Sequence, residues 1–210
     1  MIRIMIADDH PIVREGLKQI LAGAHDIQVV AEADTGYDLL DKLPKFQPDT
    51  ILLDIKMPGI GGLDVLKQIK SFKPELPVLI LSMHPEEQYA IRVLKAGAAG
   101  YLTKNSAPEK LVDAIRKVNQ GGKYISSSLA ERLAFDLDSD SHKSSHEFLS
   151  DREYQVLCMI AQGKTVSEIA DTLKLSVKTI STYRARILEK MKMKNNAELT
   201  YYAIQNGLVE

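Results

Sequence analysis

The chain has 210 residues, 45% of them hydrophobic, and a formal net charge of −1, so it can bury the core of one large or two small globular domains. Its one cysteine, Cys158, excludes an internal disulfide. No apolar run reaches the length of a membrane span and the N-terminus has no signal-peptide pattern, which makes the cytoplasm the expected compartment.

Over residues 1–124, short apolar runs alternate with segments of helical spacing. The runs are Ile2–Ala7, Ile27–Ala33, Thr50–Leu53, Val78–Ser82 and Gly100–Leu102. The helical segments cover about 11–23, 35–43, 62–72, 86–97 and 107–120, the last with Leu111, Ile115 and Val118 on one stripe. Ser106-Ala-Pro-Glu109 has the spacing of a capping box. Five such β–α repeats with near-continuous apolar strands imply a parallel sheet covered on both faces. "SSSLAERLAFDL" (126–137) predicts one more short helix, with Ser128 and Glu131 spaced as its cap. "DSDSHKSSHE" (138–147) lacks any large apolar residue and reads as a flexible linker. The divisions expected are 1–124, a linker at 125–147, and 148–210.

The remaining residues are helical throughout. Ser150-Asp-Arg-Glu153 and Thr165-Val-Ser-Glu168 are capping boxes, the first opening a helix to about Gly163 and the second one to about Leu173. Ser176 caps a longer helix from Val177 to about Lys192, and a last one runs from about Ala197 to Asn206. In the third, Val177, Ile180, Ile187, Leu188 and Met191 form the expected inward stripe. The segment 174–194 carries Lys174, Lys178, Arg184, Arg186, Lys190, Lys192 and Lys194 against Glu189 alone. A charge run of this kind is ordinarily a solvated helix face.

Ligands of open parallel sheets bind beyond the C-terminal strand ends. Those ends carry Asp8 and Asp9, Asp54, Ser82 and Lys104. Singly, each has a plain role as a helix cap, turn residue or solvated charge. Together they place three carboxylates, a hydroxyl and an ammonium in one small volume. Three carboxylates call for a hard cation, and Mg²⁺ suits phosphate chemistry. With the charge neutralised, Asp54 can attack phosphorus, Lys104 can pair with phosphoryl oxygens and Ser82 can donate a hydrogen bond to one. The histidines (10, 25, 84, 142, 146) show no metal-ligand spacing, His142 and His146 are expected in solvent, and Cys158 reads as a buried thiol.

"ADDH", "LLDIKMPGIGG", "LSMH" and "AGAAGYLTK" resemble the receiver domain of bacterial two-component response regulators. "LSDREYQVLCMIAQGKTVSEIADTLKLSVKTISTYRARILEKM" resembles their LuxR-type helix-turn-helix output domain. The pair is similar to the NarL/FixJ family over nearly the whole chain, and "KMPGIGG" and "TYRARILEKM" resemble its GacA/UvrY-type branch. The resemblance implies a flavodoxin-like, doubly wound five-stranded domain joined to an all-α four-helix domain. It implies Asp54 as the phosphoacceptor, with a sensor histidine kinase as the source of the phosphoryl group. Asp9, Asp54 and the Lys56 carbonyl would hold Mg²⁺, Asp8 would reach it through water, and Ser82 with Tyr101 would be the switch pair. Lys104 is followed by Asn105, where many receivers have proline.

Helix 177–192 would then enter the major groove of promoter DNA. Ser181, Thr182 and Ala185 would approach base edges, while Lys178, Arg184, Arg186 and Lys190 would hold the backbone. The resemblance also implies pairing of two output domains through the last helix, with Leu199, Tyr202 and Ile204 available for it, and RNA polymerase as a further partner. A Mg²⁺-dependent phosphatase with an aspartyl-phosphate intermediate shares the nucleophile and metal. However, Asp54 is followed by Ile-Lys-Met-Pro, with no second acid two residues on, and no cap domain is visible. The expected function is therefore a phosphorylation-controlled transcription regulator, not an enzyme.

Overall fold

The computed structural model describes residues 1–83, 86–106, 108–126, 129–131 and 145–209. Two compact units result, Met1–Ala130 and Glu131–Glu210. The expected short helix at 126–137 is described only at residues 129–131, which are helical. Ser128, His84 and His142 lie outside the described residues, as does most of 138–147.

The first unit is a five-stranded parallel sheet in the order β2-β1-β3-β4-β5. Its strands are β1 (Ile2–Ala7), β2 (Ile27–Ala33), β3 (Thr50–Asp54), β4 (Val78–Ser82) and β5 (Gly100–Thr103). Its helices are α1 (Pro11–Ala22), α2 (Gly36–Phe46), α3 (Gly62–Phe72), α4 (Glu86–Lys95) and α5 (Pro108–Asn119). Ile4, Ile6, Leu52, Leu79, Leu81 and Leu102 face one way, into a core with Leu17 and Leu21 of α1 and Leu111, Ile115 and Val118 of α5. Because side chains alternate along a strand, Met5, Ile51, Leu53, Ile80 and Tyr101 face the other way, and they are fully buried too. Burial on both faces explains why the strands read as continuous apolar runs.

Two boundaries differ from expectation. α2 runs through Pro44 to Phe46 and stops at Gln47, which is left-handed (φ 44°); buried Leu39 and Leu43 anchor this helix, and its last turn continues past the proline. α5 begins at Pro108, and the Ser106 hydroxyl meets Thr103 Oγ1 at 3.2 Å.

The second unit contains a short 3-10 turn, Ser145–Phe148, then α6 (Asp151–Ala161), α7 (Val166–Leu173), α8 (Val177–Met191) and α9 (Asn196–Gln205). The end of the predicted flexible linker is therefore ordered. Ser150 and Thr165 form full capping boxes, and Ser176 accepts the Thr179 N–H. Gly163 and Gly207 take positive φ just past α6 and α9, where a side chain would be strained.

Glu153 connects the cap of α6 to the far end of α8. Its Oε2 accepts the Ser150 N–H at 2.7 Å, the Ser150 hydroxyl at 2.9 Å and the Lys190 ammonium at 2.6 Å. Burial works against its charge, but Lys190 and Ser150 outweigh that cost and hold its pKa below the usual 4.5. A depressed carboxylate pKa stabilises the fold above its unfolded value, and the gain disappears as pH falls through the folded one. Glu153→Gln should therefore cost about 1–2 kcal/mol at pH 7. Thermal melts from pH 7 to 3 should show the gap between parent and variant closing below about pH 4.5; a gap that stays constant would mean the charge is irrelevant.

Candidate functional site

Asp8 and Asp9 follow β1, and Asp54 ends the neighbouring β3. β1 has β2 on one side and β3 on the other, so the strand order reverses here and a crevice opens beyond the strand ends. Asp8 and Asp54 are 1% and 4% exposed. The Lys104 ammonium crosses from β5 to both, lying 2.6 Å from Asp8 Oδ2 and 2.9 Å from Asp54 Oδ2. The first contact is an ion pair without hydrogen-bond geometry, so Asp8 Oδ2 is a buried oxygen that receives no directed hydrogen bond, and Asp9 Oδ1 is another.

Helix capping does not account for these acids. The N-cap of α1 is His10, and no side chain caps that helix. Asp8 Oδ1 accepts the His10 N–H at 2.9 Å, and Asp54 Oδ1 accepts the Lys56 N–H at 3.3 Å. Arg14, which the sequence reading passed over, donates to the Asp8 carbonyl at 2.7 Å and pairs with Glu32, fixing the backbone of the first acid.

Charge is strained in the pocket. Burial lifts the Asp54 pKa above 3.8; Lys104 opposes the shift and the Asp8 carboxylate adds to it. Burial works against the Lys104 charge as well, yet Asp54 and Asp8 prevail and raise its pKa above 10.5. Two carboxylates thus share one ammonium, and the Asp9 carboxylate lies beside them.

Ser82 and Tyr101 lie on the same face of the sheet, since Ser82 pairs with Thr103 and Ile80 with Tyr101 in parallel register. Ser82 is buried and its carbonyl accepts the Lys104 N–H at 2.8 Å. Tyr101 is fully buried in this structure. Gly62 sits against the same strand end: a Cβ there would collide with the Asp54 carbonyl oxygen and come within 2.8 Å of Ile55 Cα.

In the second unit, Lys178, Ser181, Thr182, Ala185, Arg186 and Lys190 of α8 are exposed. The hydroxyl of Thr182 donates to the Lys178 carbonyl at 2.9 Å. Arg184 lies at the flank and donates from Nε to Asn196 at 2.6 Å, while Lys190 is held by Glu153.

Four expectations are corrected. Val177 is 51% exposed, not inward, because the first residue of the helix lies beyond the packed turns; Ile180, Ile187 and Met191 make the buried stripe. Leu199 is fully buried in its own unit, so it cannot meet a partner; Tyr201 and Ile204 are the exposed large side chains of α9. His146 is half-buried, with Nδ1 3.0 Å from the Tyr202 hydroxyl and its ring against Tyr154, so it is not a solvent residue. His10 does stand beside possible metal ligands, with Nδ1 2.8 Å from Asp9 Oδ1 and 3.2 Å from Asp8 Oδ1. Spacing rules built on paired His and Cys miss a histidine whose companions are carboxylates.

Residues 4–116 match the family described as "Response regulator receiver domain", and residues 147–203 match "Bacterial regulatory proteins, luxR family". The chain is 40% identical to Response regulator GacA of Pseudomonas aeruginosa, covering 100% of this chain and 99% of that protein. It is 39% identical to Response regulator UvrY of Escherichia coli, covering 99% and 96%. Among solved structures, RcsB of Salmonella enterica serovar Typhimurium, bound to promoter rprA in the presence of phosphomimetic BeF3−, is similar with a TM-score of 0.66 at 29% identity, covering 96% of this chain and 97% of that one.

The crowded acids yield a stability test. Asp9→Asn keeps the shape and removes one of three negative charges, so in chelator at pH 8 it should raise the stability of the first unit by about 1 kcal/mol. Thermal melts of parent and variant check this. A variant that melts lower than the parent would show that Asp9 is structural rather than strained.

Proposed function

The chain belongs to the two-component response regulators that combine a receiver with a LuxR-type helix-turn-helix domain, and from that membership we propose that Asp54 accepts a phosphoryl group which controls DNA binding by α8. The observation that carries this is the convergence of Asp8, Asp9, Asp54 and Lys104 at one strand-end crevice. We assign 1–124 to the receiver, 125–147 to the linker and 148–210 to the output domain. Among the described residues no helix is long and apolar enough to cross a membrane, in keeping with a cytoplasmic regulator.

The pocket suits Mg²⁺. Two buried carboxylate oxygens lack a directed hydrogen bond, and one ammonium leaves two of three negative charges unbalanced. Asp9, Asp54 and the Lys56 carbonyl would hold the ion, with Asp8 acting through water; when bound it supplies charge neutralisation at the phosphoryl oxygens. Asp54 is the nucleophile. One of its carboxylate oxygens attacks the phosphorus of a phosphohistidine on the sensor kinase, an O–P bond forms, and the N–P bond breaks with its electrons returning to the imidazole. Lys104 releases its pairing with Asp54 and meets a phosphoryl oxygen, while Ser82 donates a hydrogen bond to another. Tyr101 packs behind Ser82 and ties the outcome to the sheet surface. The same acid accepts and loses one phosphoryl group, so the protein acts as a switch and not as a turnover enzyme.

For the output domain, the exposed face of α8 fits the major groove. Ser181, Thr182 and Ala185 are small enough to approach base edges, and Lys178 and Arg186 stand ready for phosphates. Arg184 and Lys190 already have partners within the domain, so they contribute less. Tyr201, Tyr202 and Ile204 of α9 are the contacts for pairing two output domains on a two-fold DNA site.

Two measurements follow from this reading. Incubation with a small acyl-phosphate and Mg²⁺ should add one acid-stable, base-labile phosphoryl group by intact-mass analysis, and Asp54→Asn should take up none; full labelling of the variant overturns the assignment. For DNA, log affinity against log salt should slope by about −0.9 per neutralised phosphate. Arg186→Ala should flatten the slope and weaken all sites alike, whereas Ser181 or Thr182 substitutions should change the preferred sequence. A changed preference with an unchanged slope for Arg186→Ala would displace α8 from the groove.

A further inference from the structure

The acid pocket contains one donor that Mg²⁺ chemistry does not need. His10 lies directly after the two acids, and ligand atoms of Asp8, Asp9, His10 and Asp54 all lie within 4.8 Å of one another. Its Nδ1 is 2.8 Å from Asp9 Oδ1 and 3.2 Å from Asp8 Oδ1. Two donors bound at right angles to one dication, each at about 2.1 Å, stand roughly 3.0 Å apart. The two separations bracket that value. Asp9 Oδ1, the oxygen nearest the imidazole, is also one of the two buried carboxylate oxygens lacking a directed hydrogen bond. The His10 side chain is 63% exposed and makes no cap hydrogen bond to α1, and its polar contacts are with the two acids, Asp8 and Asp9.

We propose that His10 supplies a nitrogen ligand to this pocket, which makes it a site for borderline transition-metal dications of the Zn²⁺ and Co²⁺ class as well as for Mg²⁺. The proposal rests on the acid pocket being the metal site. Mg²⁺ favours oxygen donors and keeps its waters, so an imidazole adds little for it. Zn²⁺ and Co²⁺ bind imidazole well and follow the order of increasing affinity across the first-row metals. With Lys104 present, three carboxylates and a neutral imidazole leave a charge of two to balance, which a dication matches. All three ions carry the same charge, so which one occupies the pocket would change the ligand set and geometry around Asp54 rather than its charge balance.

The test uses the full-length protein and His10→Ala, with binding of Mg²⁺, Zn²⁺ and Co²⁺ measured by calorimetry at pH 8 and the Co²⁺ visible spectrum recorded. Because the His10 side chain is exposed and makes no cap hydrogen bond, the variant should fold; its circular dichroism and melting curve in chelator verify that. In the parent, Mg²⁺ should displace Co²⁺ competitively, which separates this site from adventitious binding by other histidines. In the variant, the ratio of Zn²⁺ to Mg²⁺ affinity should fall by about tenfold or more, and the Co²⁺ bands should shift as nitrogen gives way to oxygen. An unchanged ratio and unchanged spectrum overturn the role of His10 while leaving the Mg²⁺ pocket standing. Co²⁺ binding that Mg²⁺ cannot displace also overturns it, since the transition metal then sits elsewhere. If the parent binds none of the three ions, the acid pocket itself is not a metal site and the proposed function loses its cofactor.

Discussion

The receiver depends on one ammonium shared by two buried carboxylates. Asp8 and Asp54 come from adjacent strands, and Lys104 arrives from the end of β5, with β4 in between. The residue that spans this gap must be long and cationic. Its backbone is anchored where its N–H meets the Ser82 carbonyl, so Ser82 and the bridging lysine are positioned by the same piece of sheet. Without Lys104, two carboxylates held almost out of water would repel with nothing to balance them. With it, Asp54 is still short of its ordinary acidity. The pocket is thus arranged to be improved by a cation or by a phosphoryl group that occupies the ammonium, and a functional site commonly carries such unrelieved charge.

The second unit handles charge differently. Glu153, the one buried acid among the described residues of this unit, receives two hydrogen bonds from Ser150 and one from Lys190, so the α6 cap and the end of α8 are tied together. That commitment divides the basic cluster. Lys190 and Arg184 help define the domain, while Lys178 and Arg186 remain directed outward. A count of positive charge in the sequence therefore overstates what this helix offers to phosphate, and the difference is set by packing rather than composition.

Most of the architecture was legible because burial leaves a period. Strands covered on both faces read as unbroken apolar runs, and each helix of the second unit opens on a capping residue whose hydrogen bond is present. The acids at the strand ends were legible because a parallel sheet brings those ends to one edge. The misreadings share a cause: helical spacing reports which side of a helix is apolar, not how far the packed surface extends along it. Val177 lies just beyond the packed turns of α8, and Leu199 lies inside the bundle although Tyr201 and Ile204 beside it do not. His146 and His10 escaped notice because their partners, Tyr202 and the two acids, become neighbours through local turns and tertiary contacts that composition does not encode.

The nucleophile proposed at Asp54 would need an immobile backbone, and this fold supplies one by placing Asp54 at the end of its most enclosed strand. Thr50 through Leu53 are fully buried, so β3 cannot shift without disturbing the packing on both faces of the sheet. Gly62 closes the remaining freedom: its N–H donates to the Ile55 carbonyl, and α3 starts hard against the Asp54 carbonyl with no room for a Cβ. The glycine is required here by close approach rather than by an unusual φ, since any larger side chain would push on the backbone of Asp54 itself. Rigidity at Asp54 and strained charge around it are complementary. A soft backbone would let the carboxylates move apart and relieve their repulsion, and the pocket would then lose the electrostatic gain that a bound cation or phosphoryl group provides.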